Sequence, residues 1–139
     1  MKTIKQVLFV VVVTLLLVPA ALAQEPAGQG SMQGPTMVSQ SMFPIKVQGA
    51  DYDLITQILD FPSGAGVAKH FHGGPVLVTV LSGEMTLQEK NTERVLKMGQ
   101  SWTENPGDQH AVVNAGLVPA RVAVSMLLPK GAKDTTLVK

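Results

Sequence analysis

The sequence predicts an all-β domain, built as two packed sheets or a barrel, and three observations point there. From Ser41 onward the chain runs in short stretches rich in Val, Ile, Leu and Thr, separated by Gly, Pro, Asn and Asp. No stretch keeps the 3.6-residue periodicity of an amphipathic helix. Nine such stretches with few charges inside them favour a closed or double-layered sheet, because closure removes exposed strand edges. A length of 139 residues suits one core, and the absence of cysteine means that this core is held without disulfides.

Taken from the start, residues 1–23 read as a secretory signal peptide. Lys2 and Lys5 precede the apolar run Val7 to Val18, which is short for a membrane span, and Ala21-Leu22-Ala23 supplies small residues for cleavage. A lipoprotein anchor is excluded because its chemistry needs a cysteine. The expected location is therefore the bacterial periplasm or the exterior, with no stable membrane anchor after cleavage. Removing Lys2 and Lys5 from the eleven basic residues leaves nine against ten acidic ones, a formal charge of −1. With no Lys/Arg run, nothing attracts nucleic acid.

Residues 24–41 are rich in Gly, Pro, Gln, Ser and Met without periodicity, and are expected to form a flexible leader. Met32, Met37 and Met42 recur at five-residue spacing, and thioethers suit Cu(I). No His or Cys lies nearby to complete such a site, so these methionines are read as part of the tail.

Residues 42–139 form the expected domain. Its strands are predicted at Phe43 to Val47, Asp53 to Phe61, Val67 to Phe71, Val76 to Leu81, Glu84 to Glu89, Arg94 to Lys97, Ser101 to Glu104, Ala111 to Asn114 and Ala120 to Leu128. Ser82-Gly83, Lys90-Asn91 and Asn105-Pro106-Gly107-Asp108 carry turn residues, which makes consecutive strands antiparallel neighbours for the most part.

Two of the three histidines stand as His70-Phe71-His72. In a strand, positions i and i+2 share a face, so both imidazoles enter the same interior while Phe71 and Lys69 point the other way. Buried imidazoles need partners, and a divalent transition metal (Fe, Mn, Zn, Cu or Ni) is one that neutral imidazole binds well. His110 opens the run Ala111-Val112-Val113 after a turn, at a strand start. Spacing alone leaves both a metal site and a solvated pair open.

The residues resemble the cupin superfamily. Gly64-x5-His70-x-His72 with Gly83 resembles its first motif, and Gly99 with Pro106-Gly107-x2-His110-x3-Asn114 resembles its second. The resemblance implies a single cupin barrel, a double-stranded β-helix or jelly roll, in which His70, His72 and His110 converge on one metal. It also implies a common homodimer, joined at the edge near the N-terminal strand. The chain departs from the pattern twice. Val76 stands where the first motif carries a glutamate ligand, and Pro106 and Gly107 are adjacent where one residue usually separates them. Small cupins that read H-x-H-x-G-P share the first departure.

Three neutral imidazoles leave a divalent metal at +2, a stronger Lewis acid with more open positions than a carboxylate-ligated one. The resemblance brings three-histidine dioxygenases to mind, acting on an enediol, thiol-carboxylate or diketone. The candidate catalytic group is Glu104, as a fourth ligand or a general base, with Trp102 on the same face of its strand. Val76, Trp102 and Gln109 are the expected pocket residues. Tyr52 lies between Asp51 and Asp53 and is placed at the surface, while Asn114 is assigned a turn or hydrogen-bonding role. These residues leave three readings open: a metal-dependent oxygenase or related oxidoreductase acting on a small molecule, a non-catalytic metal-containing module that binds or senses a small ligand, and a barrel whose histidines bind nothing.

Overall fold

The computed structural model describes residues 32–139, so the expected signal peptide and the first part of the leader lie outside the described residues. Ten strands follow one another: β1 (Thr36–Val47), β2 (Ala50–Phe61), β3 (Gly66–Phe71), β4 (Val76–Ser82), β5 (Glu84–Glu89), β6 (Thr92–Lys97), β7 (Ser101–Glu104), β8 (His110–Val113), β9 (Ala120–Pro129) and β10 (Thr136–Leu137). They form two five-stranded antiparallel sheets, ordered β1-β2-β9-β4-β7 and β10-β3-β8-β5-β6.

Alternation makes the core. Along β9, Ala120, Val122, Val124, Met126 and Leu128 are buried while the residues between them are partly or fully exposed. Val76, Val78 and Val80 do the same on β4. Met85 and Leu87 from β5 meet these residues from the other sheet in one apolar cluster. Side chains of this size contribute about 1.5–3 kcal/mol each when fully buried. Truncating Leu87, which is 0% exposed, to alanine should cost about 2–5 kcal/mol through lost contacts and the cavity left behind.

The structure corrects three sequence expectations. All nine predicted strands are present, but only β1–β2 and β5–β6 pair with their immediate successor. Ser82-Gly83 is a corner between sheets rather than a hairpin turn. Gly83 has φ of 70°, and a Cβ there would lie 2.8 Å from the Pro119 carbonyl oxygen, which is why the corner holds a glycine. Asn105–Asp108 likewise carries the chain from β7 in one sheet to β8 in the other. Apolar strands in a closed sandwich cover one another by crossing between layers, which turn chemistry alone does not specify.

Second, residues 36–41, expected in the flexible leader, belong to β1, and just before them the Gln33 carbonyl accepts from Gly66 N–H at 2.8 Å. Almost every residue of β1 is exposed, so its side chains carry no burial pattern; its ladder with β2 alone fixes it. Third, β10 has only two residues, too short to leave a pattern in sequence, yet it pairs Thr136 with Phe71 and Leu137 with His70.

Candidate metal centre

Register brings the two histidine motifs together. In the ladder between β3 and β8, His70 and His110 are direct cross-strand partners, and opposed residues of an antiparallel pair project to the same face. His72 follows two residues after His70 on that face. The three rings are buried, at 4%, 7% and 3% exposure for His70, His72 and His110. Their centroids lie 4.3 to 5.3 Å apart, and one nitrogen from each falls within 4.8 Å of the others. Lys69, just before the pair, is exposed, and Phe71, between the two histidines, is half-buried.

Each ring is oriented through Nδ1. His70 Nδ1 donates to the Ala68 carbonyl at 2.8 Å, His110 Nδ1 to the Asp108 carbonyl at 3.0 Å, and His72 Nδ1 to the carbonyl of Asp134. In the neutral ring this leaves the lone pair on Nε2, the arrangement in which an outer carbonyl orients a metal-binding imidazole. Nε2 of His110 is buried and has no hydrogen-bond partner of its own. Three convergent imidazole lone pairs, one of them orphaned, are a donor set that fits a divalent first-row metal ion.

Glu104 ends β7 in the opposite sheet and is 5% exposed. Its Oε1 accepts from Trp102 Nε1–H at 2.7 Å, so the two alternate residues share the inner face as expected. Oε2 lies 3.0 Å from His72 Nε2, and Oε1 lies 3.1 Å from His110 Nε2. The His110 contact has salt-bridge distance without hydrogen-bond alignment. Burial alone would raise the Glu104 carboxyl, but His110, His72 and Trp102 outweigh it and hold it well below the usual carboxylate range. Burial also works against a charged His110, yet the contact with Glu104 raises that imidazole above its ordinary value. His70 lacks such a contact, and burial pushes it down to about 4.

Beside the imidazoles a cavity of about 80 Å³ runs into the barrel. His70, His72, Glu104 and Trp102 form part of its wall, Gln57 and Thr135 add polar groups, and the rest is apolar, including Phe61, Val78 and Met126. Among the described residues, no lysine or arginine lines it.

The other expected pocket residues fall elsewhere. Gln109 is exposed in the loop that leads into β8 and does not line the cavity. Val76 is buried in the core cluster, directly across from Glu104 in the β4–β7 ladder, and does not itself line the cavity. Tyr52 is half-buried near the start of β2, away from the histidines. Asn114 fills the structural role assigned to it. Its Nδ2 donates to the Phe61 and Val118 carbonyls, and its Oδ1 accepts from Gly116 N–H.

Three contributors were missed in sequence. The Asp134 carbonyl and Thr135 come from the segment after β9, and main-chain groups carry no motif. Gly107 N–H, which donates to the His72 carbonyl at 3.0 Å, ties the β7–β8 loop to the first histidine pair. Its proline-glycine turn was the one available signal.

The family model described as the cupin domain matches residues 57–127, just over half of the chain and the stretch that contains both histidine motifs. The chain is a cupin. Solved structures agree on the fold. A double-stranded β-helix protein from Klebsiella pneumoniae subsp. pneumoniae aligns at TM-score 0.54 and 23% identity, covering 77% of this chain and 90% of that one. A conserved Streptococcus pyogenes protein of unknown function aligns at 0.51 and 16%, over 67% and 77% of the two chains. A cupin domain from Schizosaccharomyces pombe aligns at 0.51 and 12%, over 68% and 64%. No curated protein sequence matches. At these identities the likeness is one of fold, and the chemistry of this cupin has to be read from its own residues.

Proposed function

We propose that this cupin is an exported protein that holds a divalent transition metal on His70, His72 and His110 and uses it in oxidoreductase chemistry of the oxygenase kind on a small molecule. The observation that carries the metal reading is the set of three Nδ1–H groups committed to backbone carbonyls, which leaves three Nε2 lone pairs directed to one buried place. When bound, such a metal supplies Lewis acidity and redox capacity.

The chain's own residues select the substrate. The cavity is small and mostly apolar, and without a lysine or arginine it offers no clamp for a carboxylate or phosphate. An uncharged diketone, enediol or phenol fits better than a thiol-carboxylate. Such a molecule places its oxygens toward the histidines and its carbon skeleton against Phe61, Val78 and Met126. Gln57 donates from Nε2 to Gln40 Oε1 at 2.7 Å, which orients its amide at the cavity wall.

One observation favours a second reading, a binding or sensing module without turnover. Apart from the imidazoles and Glu104, the titratable groups of the described residues lie off the cavity wall, so no further side chain is on hand to move protons. Elemental analysis of untagged protein, beside His70→Ala and His110→Ala, tests the metal. Equal metal content in all three removes it. Oxygen consumption with diketones, enediols and phenols then separates the readings: turnover supports the enzyme, and tight binding without turnover supports the sensor.

A further inference from the structure

We infer that Glu104 supplies a carboxylate ligand to the three-histidine centre, carried on β7 instead of at the β4 position that Val76 occupies. The inference rests on the metal reading above and adds a ligand to it.

Backbone register is the first support. Val76 and Glu104 are direct cross-strand partners in the β4–β7 ladder. Opposed residues in such a ladder have Cβ atoms about 4.5–5.5 Å apart and project to the same face. A carboxylate carried by either strand therefore enters the barrel at nearly the same place. Val76 and Glu104 are both buried, at 2% and 5% exposure, so that place is the interior.

Donor chemistry is the second. With each Nδ1–H given to a carbonyl, His72 and His110 turn lone-pair nitrogens toward the Glu104 oxygens at 3.0 and 3.1 Å. Nitrogen lone pair against carboxylate oxygen is a contact between two acceptors, and it is favourable only with a proton or a metal cation between them. The His110 contact is misaligned for a hydrogen bond and leaves Nε2 without a partner. A proton on that nitrogen would not point at the carboxylate, whereas one cation placed among the three groups satisfies all of them.

Positioning is the third. Trp102 Nε1–H holds Oε1 at 2.7 Å from the same strand face, which fixes the carboxylate as an outer partner fixes a metal ligand. A carboxylate ligand also brings the formal charge of a divalent centre from +2 to +1, so Glu104 moderates the Lewis acidity that three imidazoles alone would leave.

The test compares wild type with Glu104→Gln, which keeps the shape and removes the charge, and with Glu104→Val and the exchange variant Val76→Glu/Glu104→Val. Cobalt(II) and zinc affinities are measured by chelator competition, and the visible spectrum of the cobalt form reports the ligands directly. Glu104→Gln should lose at least about tenfold in affinity and change the cobalt bands. The exchange variant should bind more tightly than Glu104→Val. Affinity within twofold of wild type and unchanged cobalt bands in Glu104→Gln would overturn the ligand role while leaving the three-histidine site standing. An exchange variant no tighter than Glu104→Val overturns the equivalence of the two strand positions. Wild type that takes up no metal overturns the metal reading itself.

Discussion

Removal of residues 133–139 probes the centre where sequence is silent. This segment supplies the one partner that His72 Nδ1 has among the described residues, the Asp134 carbonyl, and it adds Thr135 to the cavity wall. Its remaining ties are the short β10 ladder, Val138 N–H to the Lys69 carbonyl, and Gly73 N–H to the Lys133 carbonyl. These are a few peripheral hydrogen bonds worth about 1 kcal/mol each at most, so the barrel should still fold. Loss of an outer partner of a histidine ligand typically lowers metal affinity about 10- to 100-fold, or ~1.4–2.7 kcal/mol. Zinc titration against a competing chelator should show that drop, with the far-ultraviolet circular dichroism of the shortened protein unchanged. Asp134→Ala keeps the main-chain carbonyl and should bind zinc like wild type. A shortened protein that is folded and binds zinc within twofold of wild type would refute the claim that this carbonyl orients His72.

Other consequences follow from the same geometry. Asn114 is 0% exposed and makes three hydrogen bonds, so Asn114→Ala strands two carbonyls and an N–H. A loss of about 3 kcal/mol is expected, equivalent to about 12–20 °C in Tm, and a calorimetric drop below about 3 °C contradicts it. In chelator-treated protein, burial and the neighbouring imidazoles push His70 down to about 4 from 6.5. The unfolded chain therefore takes up its proton first as pH falls, and stability present above about 6.5 is lost progressively towards 4. Its upper bound is about 3 kcal/mol at ~1.36 kcal/mol per pH unit. His110 is shifted the other way, so its contribution is complete below 6.5 and lost as pH rises through its higher folded value. Urea midpoints between pH 6.5 and 5 should thus fall in wild type and flatten in His70→Asn; parallel slopes count against the assignment.

The strands were legible because burial here is one-sided and alternation records it, as Val122, Val124 and Met126 do on β9. The histidine triad was legible because two motifs in order carried it. The topology was not, since Ser82-Gly83 and Asn105–Asp108 have the composition of hairpin turns although they bridge sheets. β1 escaped at its first seven residues, Thr36 to Met42, because exposure on both faces erases alternation. Gln109 stands beside His110 in the second motif, but it lies in the loop before β8 and is exposed, which a motif position does not reveal. The orienting groups on His72 are main-chain atoms from distant residues, which no side-chain pattern encodes.

Glu104 and the histidines stand on different sheets, and this has a mechanical consequence. His70 and His110 belong to β3 and β8 of one sheet, His72 directly follows β3, and Glu104 ends β7 of the other. A metal held by all four groups cross-links the two layers at the barrel mouth, whereas one held by the histidines alone braces a single layer. Ligand binding at 100 times Kd stabilises a fold by about 2.7 kcal/mol, and that gain is distributed to the elements the ligand joins. Amide exchange can read the distribution. Metal should slow exchange in β4, β7, β3 and β8 of wild type, but only in β3 and β8 of Glu104→Gln, at metal concentrations that saturate both proteins. Equal protection of β7 in the two proteins would mean that the layers are joined without Glu104, the loop bond from Gly107 to His72 being one link between them.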